Sequence, residues 1–174
     1  MSCLFVTVPQ TSSLAGCLWG QQCHLDIPSL PHINLIPMMA KKNKLIPDTT
    51  KGHERVMIGM PIPKVYTPQI HTVESTLKPT KYWIPINPNN TTFDAFFRSG
   101  PKGIGLQMTH RIDHSLAPKG LDELKKRLST TKAEDRYFVF IIPQGQVFSC
   151  PKPLKKWLSE FSFFILEMEC GKYC

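Results

Sequence analysis

The run RYFVFIIP, residues 136 to 143, restricts the fold more than any other stretch of this 174-residue chain. After Arg136 it has no polar break, and its aromatic and β-branched side chains suit a strand. Side chains alternate across a strand, so an unbroken apolar run places apolar groups on both faces. A sheet that contains it must be covered twice, by helices or loops on either side.

The neighbouring segments supply that cover. KYWIPINP (81–88) reads as a short aromatic strand ended by the turn-forming NPNN. TTFDAFFRS (91–99) and GIGLQMTH (103–110) are two strand segments joined by the tight turn SGPKG. So short a loop predicts an antiparallel hairpin. HSLAPKGLDELKKRLST (114–130) reads as a helix with Leu121, Leu124 and Leu128 on one face. Its acids Asp122 and Glu123 come early and its bases late, as the helix dipole favours. Pro118 fits the first turn, with Ser115 a candidate cap. A short amphipathic segment, LKKWLSEF (154–161), and a last strand, SFFILEME (162–169), follow. The order predicts an α/β fold with a mixed central sheet and flanking helices.

Residues 1–80 differ. They hold nine of the sixteen prolines and sustain no helical or strand periodicity, so the expectation is an irregular Pro-rich segment, extended, loosely packed or disordered. The domain division falls near residue 80, with the α/β domain over 81–170. The apolar opening lacks a basic leader and is broken by Pro9, which makes it a poor signal peptide. No stretch reaches the ~18 apolar residues of a membrane span, so no membrane partner is expected. Six cysteines without a CxxC pair suggest reduced thiols in an intracellular or nuclear protein rather than a disulfide framework. The net charge of +8 suggests an anionic partner, with nucleic acid first and simple solubility as the alternative.

The hairpin carries polar residues where a buried strand should want none. Asp94 sits among phenylalanines, and Gln107 and Thr109 flank Met108. Alternation puts Asp94 on a face with Phe96, and Phe93, Ala95 and Phe97 on the other. Gln107 and Thr109 share a face. A buried carboxylate without a partner costs several kcal/mol, so Asp94 must be paired, near water or holding a metal. Thr91, Thr92 or a turn amide are candidate donors. If the register puts Asp94 and Gln107 together, a carboxylate, an amide and a hydroxyl converge at one end of the sheet.

Other chemistry is thinner. His110 and His114 have the spacing of a helical zinc pair but no evident third ligand. His114 is otherwise a phosphate contact, an acid–base group or a helix-start cap. Lys125, Lys126 and Arg127, and separately Lys152, Lys155 and Lys156 beside Trp157, read either as solvated faces or as nucleic-acid contacts. No phosphate loop, Gly-x-Ser-x-Gly or Cys/His nucleophile arrangement is present.

Taken in order, YWIP (82–85), FDAFF (93–97), GLQMT (105–109), His114, KGLDEL (119–124) and YFVFIIP (137–143) resemble the C-terminal nuclease-like domain of Crinkler and retrotransposon-hot-spot-type proteins. That domain is placed in the PD-(D/E)XK restriction-endonuclease-like superfamily. The resemblance covers roughly residues 80–170. It implies Mg²⁺-dependent phosphodiester hydrolysis on DNA or RNA, with Asp94 and Gln107 at the metal-binding positions. Thr109 and His114 would be polar support, and Lys119, Lys125, Lys126 and Arg127 would position the backbone. The chain departs from the pattern at two places. Gln107 stands where an acid is expected, so the metal site loses a full negative charge, and Thr109 replaces the cationic lysine. The upstream acid of the superfamily would have to be Glu54 or Glu74. An inactive domain that contacts other proteins, and a fragment of a larger effector-type protein, are the alternative expectations.

Overall fold

The computed structural model describes residues 9–58, 64–67, 81–85 and 92–169, with the side chains of 9–15, 17 and 64–67 outside the description. Its elements run α1 (Pro9–Asp26), β1 (His32–Lys41), β2 (Lys44–Pro47), β3 (Glu54–Met57), β4 (Lys64–Thr67), β5 (Tyr82–Pro85), β6 (Ala95–Ser99) and β7 (Lys102–Met108). Then come α2 (Pro118–Arg127), β8 (Arg136–Pro143), β9 (Cys150–Pro151), α3 (Lys155–Leu158) and β10 (Ser162–Met168). The strands form one mixed sheet in the order β4-β5-β6-β7-β8-β10-β1-β2-β9, with β3 beside β1.

The expected hairpin is β6–β7, antiparallel, with Ala95 opposite Leu106 and Phe96 opposite Gly105. β8 lies parallel to β7 and to β10. Parallel neighbours need crossovers, and α2 and the β9–α3 segment provide them. Every residue of β8 except the terminal Pro143 is buried, as its apolar run requires.

Two apolar layers sandwich the sheet. On one face Trp19, Cys23 and Ile27 of the α1 end pack over Ala95, Phe97, Ile104, Leu106, Val139 and Ile141. On the other, Leu121, Leu124 and Leu128 of α2 and Trp157 of α3 cover Phe96, Phe138, Phe140 and Ile165. Trp157 therefore packs onto the sheet and is not presented to a nucleic acid. A Cβ on Gly105 would lie 2.3 Å from Leu124 Cδ2, so glycine is what lets α2 settle onto the middle of β7.

Three expectations are corrected. Residues 9–58 are not irregular: they form α1, β1, β2 and β3, and β1 joins the same sheet as β8 and β10, so no boundary divides the sheet near residue 80. Proline was the misleading signal. Pro37 sits where β1 passes from pairing with β10 to pairing with β2, and there its carbonyl still accepts from the Asp48 amide at 2.7 Å. Ser115 does not cap α2. Ala117 takes the N-cap without a side-chain bond, because Pro118 at the first helical position needs no amide partner. Phe93 lies with Phe96 rather than opposite it, since β6 begins only at Ala95 and alternation does not extend back to it. The NPNN turn and Glu74 fall outside the described residues.

Candidate functional site at the end of the hairpin

β7 outruns β6. The Asp94 amide donates to Leu106 O at 2.7 Å, and beyond that point β6 offers no carbonyl to the next amide of β7, Met108. The Asp94 carboxylate takes that place: the Met108 amide donates to Asp94 Oδ2 at 2.7 Å. Gln107 Nε2 donates to the same oxygen, also at 2.7 Å. The residues set apart in the sequence thus do meet, at the end of the hairpin. The described donors are Gln107 and the Met108 amide; Thr92 instead donates its hydroxyl to Ala117 O at 3.3 Å, and Thr91 lies outside the described residues.

The amide orientation of Gln107 follows from its surroundings. Its Nε2 faces two acceptors, Asp94 Oδ2 and, at 3.4 Å, Met108 O. Its Oε1 is buried without a hydrogen-bond partner among the described residues. Burial pushes the Asp94 carboxyl up to about 6, against the opposing pull of the Met108 amide. Neutral donors satisfy its hydrogen bonds without offsetting the cost of the buried charge.

On the α1 side, Asp94 and Met108 line a cavity of about 250 Å³ with Gly16, Gly20, Gln21 and His24. His24 Nδ1 lies 3.0 Å from the Tyr82 hydroxyl. Burial, aided by the nearby Cys23 and Asp94, drives the Tyr82 hydroxyl well above the ordinary tyrosine value. This wall was missed in the sequence although a signal existed. Gly16, Gly20 and His24 recur every four residues, as positions on one helical face do.

The remaining candidates stand apart from the pair. Thr109 is buried, donates its amide to Ile141 O at 2.9 Å and accepts from the Arg111 amide at 3.1 Å through its hydroxyl. It shapes the loop after β7. His114 is half-buried in that loop and makes no hydrogen bond to Asp94 or Gln107; burial holds its imidazole below the ordinary histidine value. Residues 109–117 are not helical, so His110 and His114 share no helical face. Among the described residues no three His, Cys, Asp or Glu side chains gather as a metal site would need. Cys23 and Cys150 are buried, and burial pushes each thiol up to about 12, far from a reactive thiolate.

On α2, Lys125 pairs with Glu160 at 2.6 Å and Arg127 with Glu123 at 2.7 Å, while Lys119 and Lys126 are exposed. Glu160 also holds the buried Arg136 at 2.6 Å, which ties the end of α2 to the start of β8. Half of the expected basic helix surface is therefore engaged inside the protein. Gly120 makes room for Thr92: a Cβ there would lie 2.0 Å from the threonine hydroxyl oxygen, so the start of α2 rests directly on the segment leading into Asp94.

The donor set does not fit a divalent cation. Mg²⁺ favours anionic oxygens, and Asp94 is a single carboxylate whose Oδ2 already accepts two bonds. Gln107 turns its NH₂, not its carbonyl, toward that carboxylate. Glu54, the one described upstream acid that the resemblance offered, lies at the far end of β7, where Lys102 and Tyr137 bind it. A scan of protein-family models, a search of curated proteins and a search of solved structures find no match to this chain. Among the described residues no helix is long and apolar enough to cross a membrane.

Proposed function

We propose that this chain is a nuclease-like α/β domain that binds nucleic acid without cleaving it. The order of strand, hairpin, helix and parallel strand over β5–β8 is the one on which the resemblance rests, and it supports this class of fold. The observation that carries the non-cleaving part is the closed pair at the hairpin end. Asp94 accepts from Gln107 Nε2 and from the Met108 amide, so the position that would hold a metal is a hydrogen-bonded strand terminus. Among the described residues neither a second carboxylate nor a lysine joins it, so none of them gathers the cation or steadies an attacking hydroxide beside a phosphate. The net charge of +8 supports binding.

The test is incubation of the full chain with plasmid DNA, single-stranded DNA and RNA, in Mg²⁺, in Mn²⁺ and in EDTA. The expected result is salt-sensitive retention of nucleic acid, intact in every lane, with Asp94→Ala binding like the parent. Metal-dependent cleavage abolished by Asp94→Ala overturns the non-cleaving reading. Absence of retention at low salt overturns the binding reading.

A further inference from the structure

A second basic surface is formed by residues outside α2, and we propose that it is the docking face for the phosphodiester backbone of a nucleic acid, an inference that rests on the binding function above. Segments distant in sequence build it. Lys41 at the end of β1 stands directly opposite Lys44 at the start of β2. Lys42, in the turn between them, takes a left-handed backbone conformation with φ of 54°. β9 pairs with β2 so that Lys44 faces Pro151, and the Lys152 amide donates to Asn43 O at 2.8 Å. Lys155 and Lys156 follow at the start of α3.

All six lysines are exposed. The ion pairs among the described residues engage Lys51, Lys102, Lys125, Arg127 and Arg136, and none of these six. Lys44 reaches only a hydroxyl, Ser149 Oγ at 3.4 Å, and Asp113, which bridges to Ser149, marks the border of the face. Like charges directly opposite each other weaken a strand pair. A hairpin that sets Lys41 against Lys44, adds Lys42 at the turn and brings Lys152 alongside bears that cost with no acid paired to it among the described residues. α2 follows the other pattern, answering Lys125 and Arg127 with Glu160 and Glu123. The contrast points to an anion from outside the molecule.

The residue types narrow the ligand. Lysine meets phosphate as a point charge and lacks the planar fork that reads a guanine edge. Trp157 is buried under Lys156, whose Nζ lies 4.3 Å from the ring centroid, so no indole is free to stack on a base. Recognition is therefore of backbone charge, without sequence preference. An anionic bilayer is less well matched. Stable docking there draws on an apolar helical face or a lipid chain. This surface has only the scattered side chains Met39 and Leu154.

The test is binding of the full chain to duplex DNA, duplex RNA and single-stranded DNA across a salt series. Parent, K41Q/K42Q/K44Q/K152Q, the matching K→R variant and K119Q/K126Q on α2 are compared, with thermal melts to confirm folding. The glutamine quadruple variant is expected to lose about tenfold or more in affinity and to flatten the duplex salt slope by about 3 to 4. The arginine variant binds like the parent, and the α2 double variant flattens the slope by no more than about 2. The arm that binds most tightly identifies the nucleic acid. A parent that binds while the quadruple variant binds equally well overturns the docking face and leaves the binding function standing. A parent that binds none of the three, or only anionic phosphatidylserine vesicles, overturns both.

Discussion

The two ends of β7, about 20 Å apart at strand rise, each hold one carboxylate, and they satisfy it by opposite means. At the start of the strand Glu54 receives the Lys102 ammonium and the Tyr137 hydroxyl, and Lys102 also lies over the Tyr137 ring at 4.7 Å. Burial works against the Lys102 charge, but the glutamate and tyrosine beside it outweigh that and raise its pKa. At the far end, among the described residues, Asp94 has the same number of donors, an amide side chain and a backbone N–H, and no cation. Hydrogen bonds complete both sites, yet only the Glu54 site cancels its charge. The carboxylate with only neutral donors is left titrating near neutrality.

The largest effect tests what joins the two ends. Leu124→Ala removes the side chain seated over Gly105 and is expected to destabilise the fold by about 2–5 kcal/mol in denaturant melts. Adding Gly105→Ala to that variant should cost little or restore stability, because the new methyl enters the space Leu124 left. Strict additivity of the two changes would show that the helix does not rest on this strand.

The second effect separates the ends by pH. Asp94 titrates at about 6 in the fold against an ordinary 3.8, so the folded state holds its proton more tightly than the unfolded chain. The contribution is fully present below 3.8 and is lost as pH rises through about 6. It amounts to about 3 kcal/mol at most. Asp94→Asn keeps an oxygen for both donors and cannot ionise, so its melting temperature should fall less than the parent's across that window and exceed it above the window. Parallel pH curves for the two proteins would contradict the charge-uncompensated description.

The smallest effect belongs to the compensated end. Glu54→Gln keeps an acceptor for Tyr137 but removes the ion pair with Lys102, which is partly exposed at 25% of its side-chain surface. A loss of about 1 kcal/mol is expected, shrinking further in high salt, with the pH dependence near 6 unchanged. A larger, salt-independent loss would mean that the pair acts by packing rather than by charge.

How much of this could be read in the sequence follows the same division. The hairpin, α2, β8 and β10 announce themselves through apolar period and turn residues, and the meeting of Asp94 with Gln107 was legible as a conditional on register. The direction of the Gln107 amide was not, because it is set by the Met108 carbonyl as well as by Asp94. α1 escaped notice because the packed apolar positions among its described side chains are few, with Trp19 and Cys23 four residues apart and Ile27 just beyond its end. That stripe is too narrow to stand out among serines and glutamines. β1 was hidden by Pro37, and the partner that joins it to the central strands, β10, lies at the other end of the chain, where local pattern gives no hint of it. For the same reason only the lysines after β9 stood out as a cluster, and those of the β1–β2 turn went unread until the pairing of β2 with β9 set them alongside.

The pairing of Ile36 with Ile165 also sets an order of events during synthesis. β1 leaves the ribosome about 120 residues before β10, the strand that seats it beside β8. Until then one side of β1 stays an open edge, able to pair with other chains. Contacts so far apart in sequence slow the closing step of folding. β10 thus closes the sheet between β8 and β1, and a polypeptide halted before residue 162 would expose the β1 and β8 edges together.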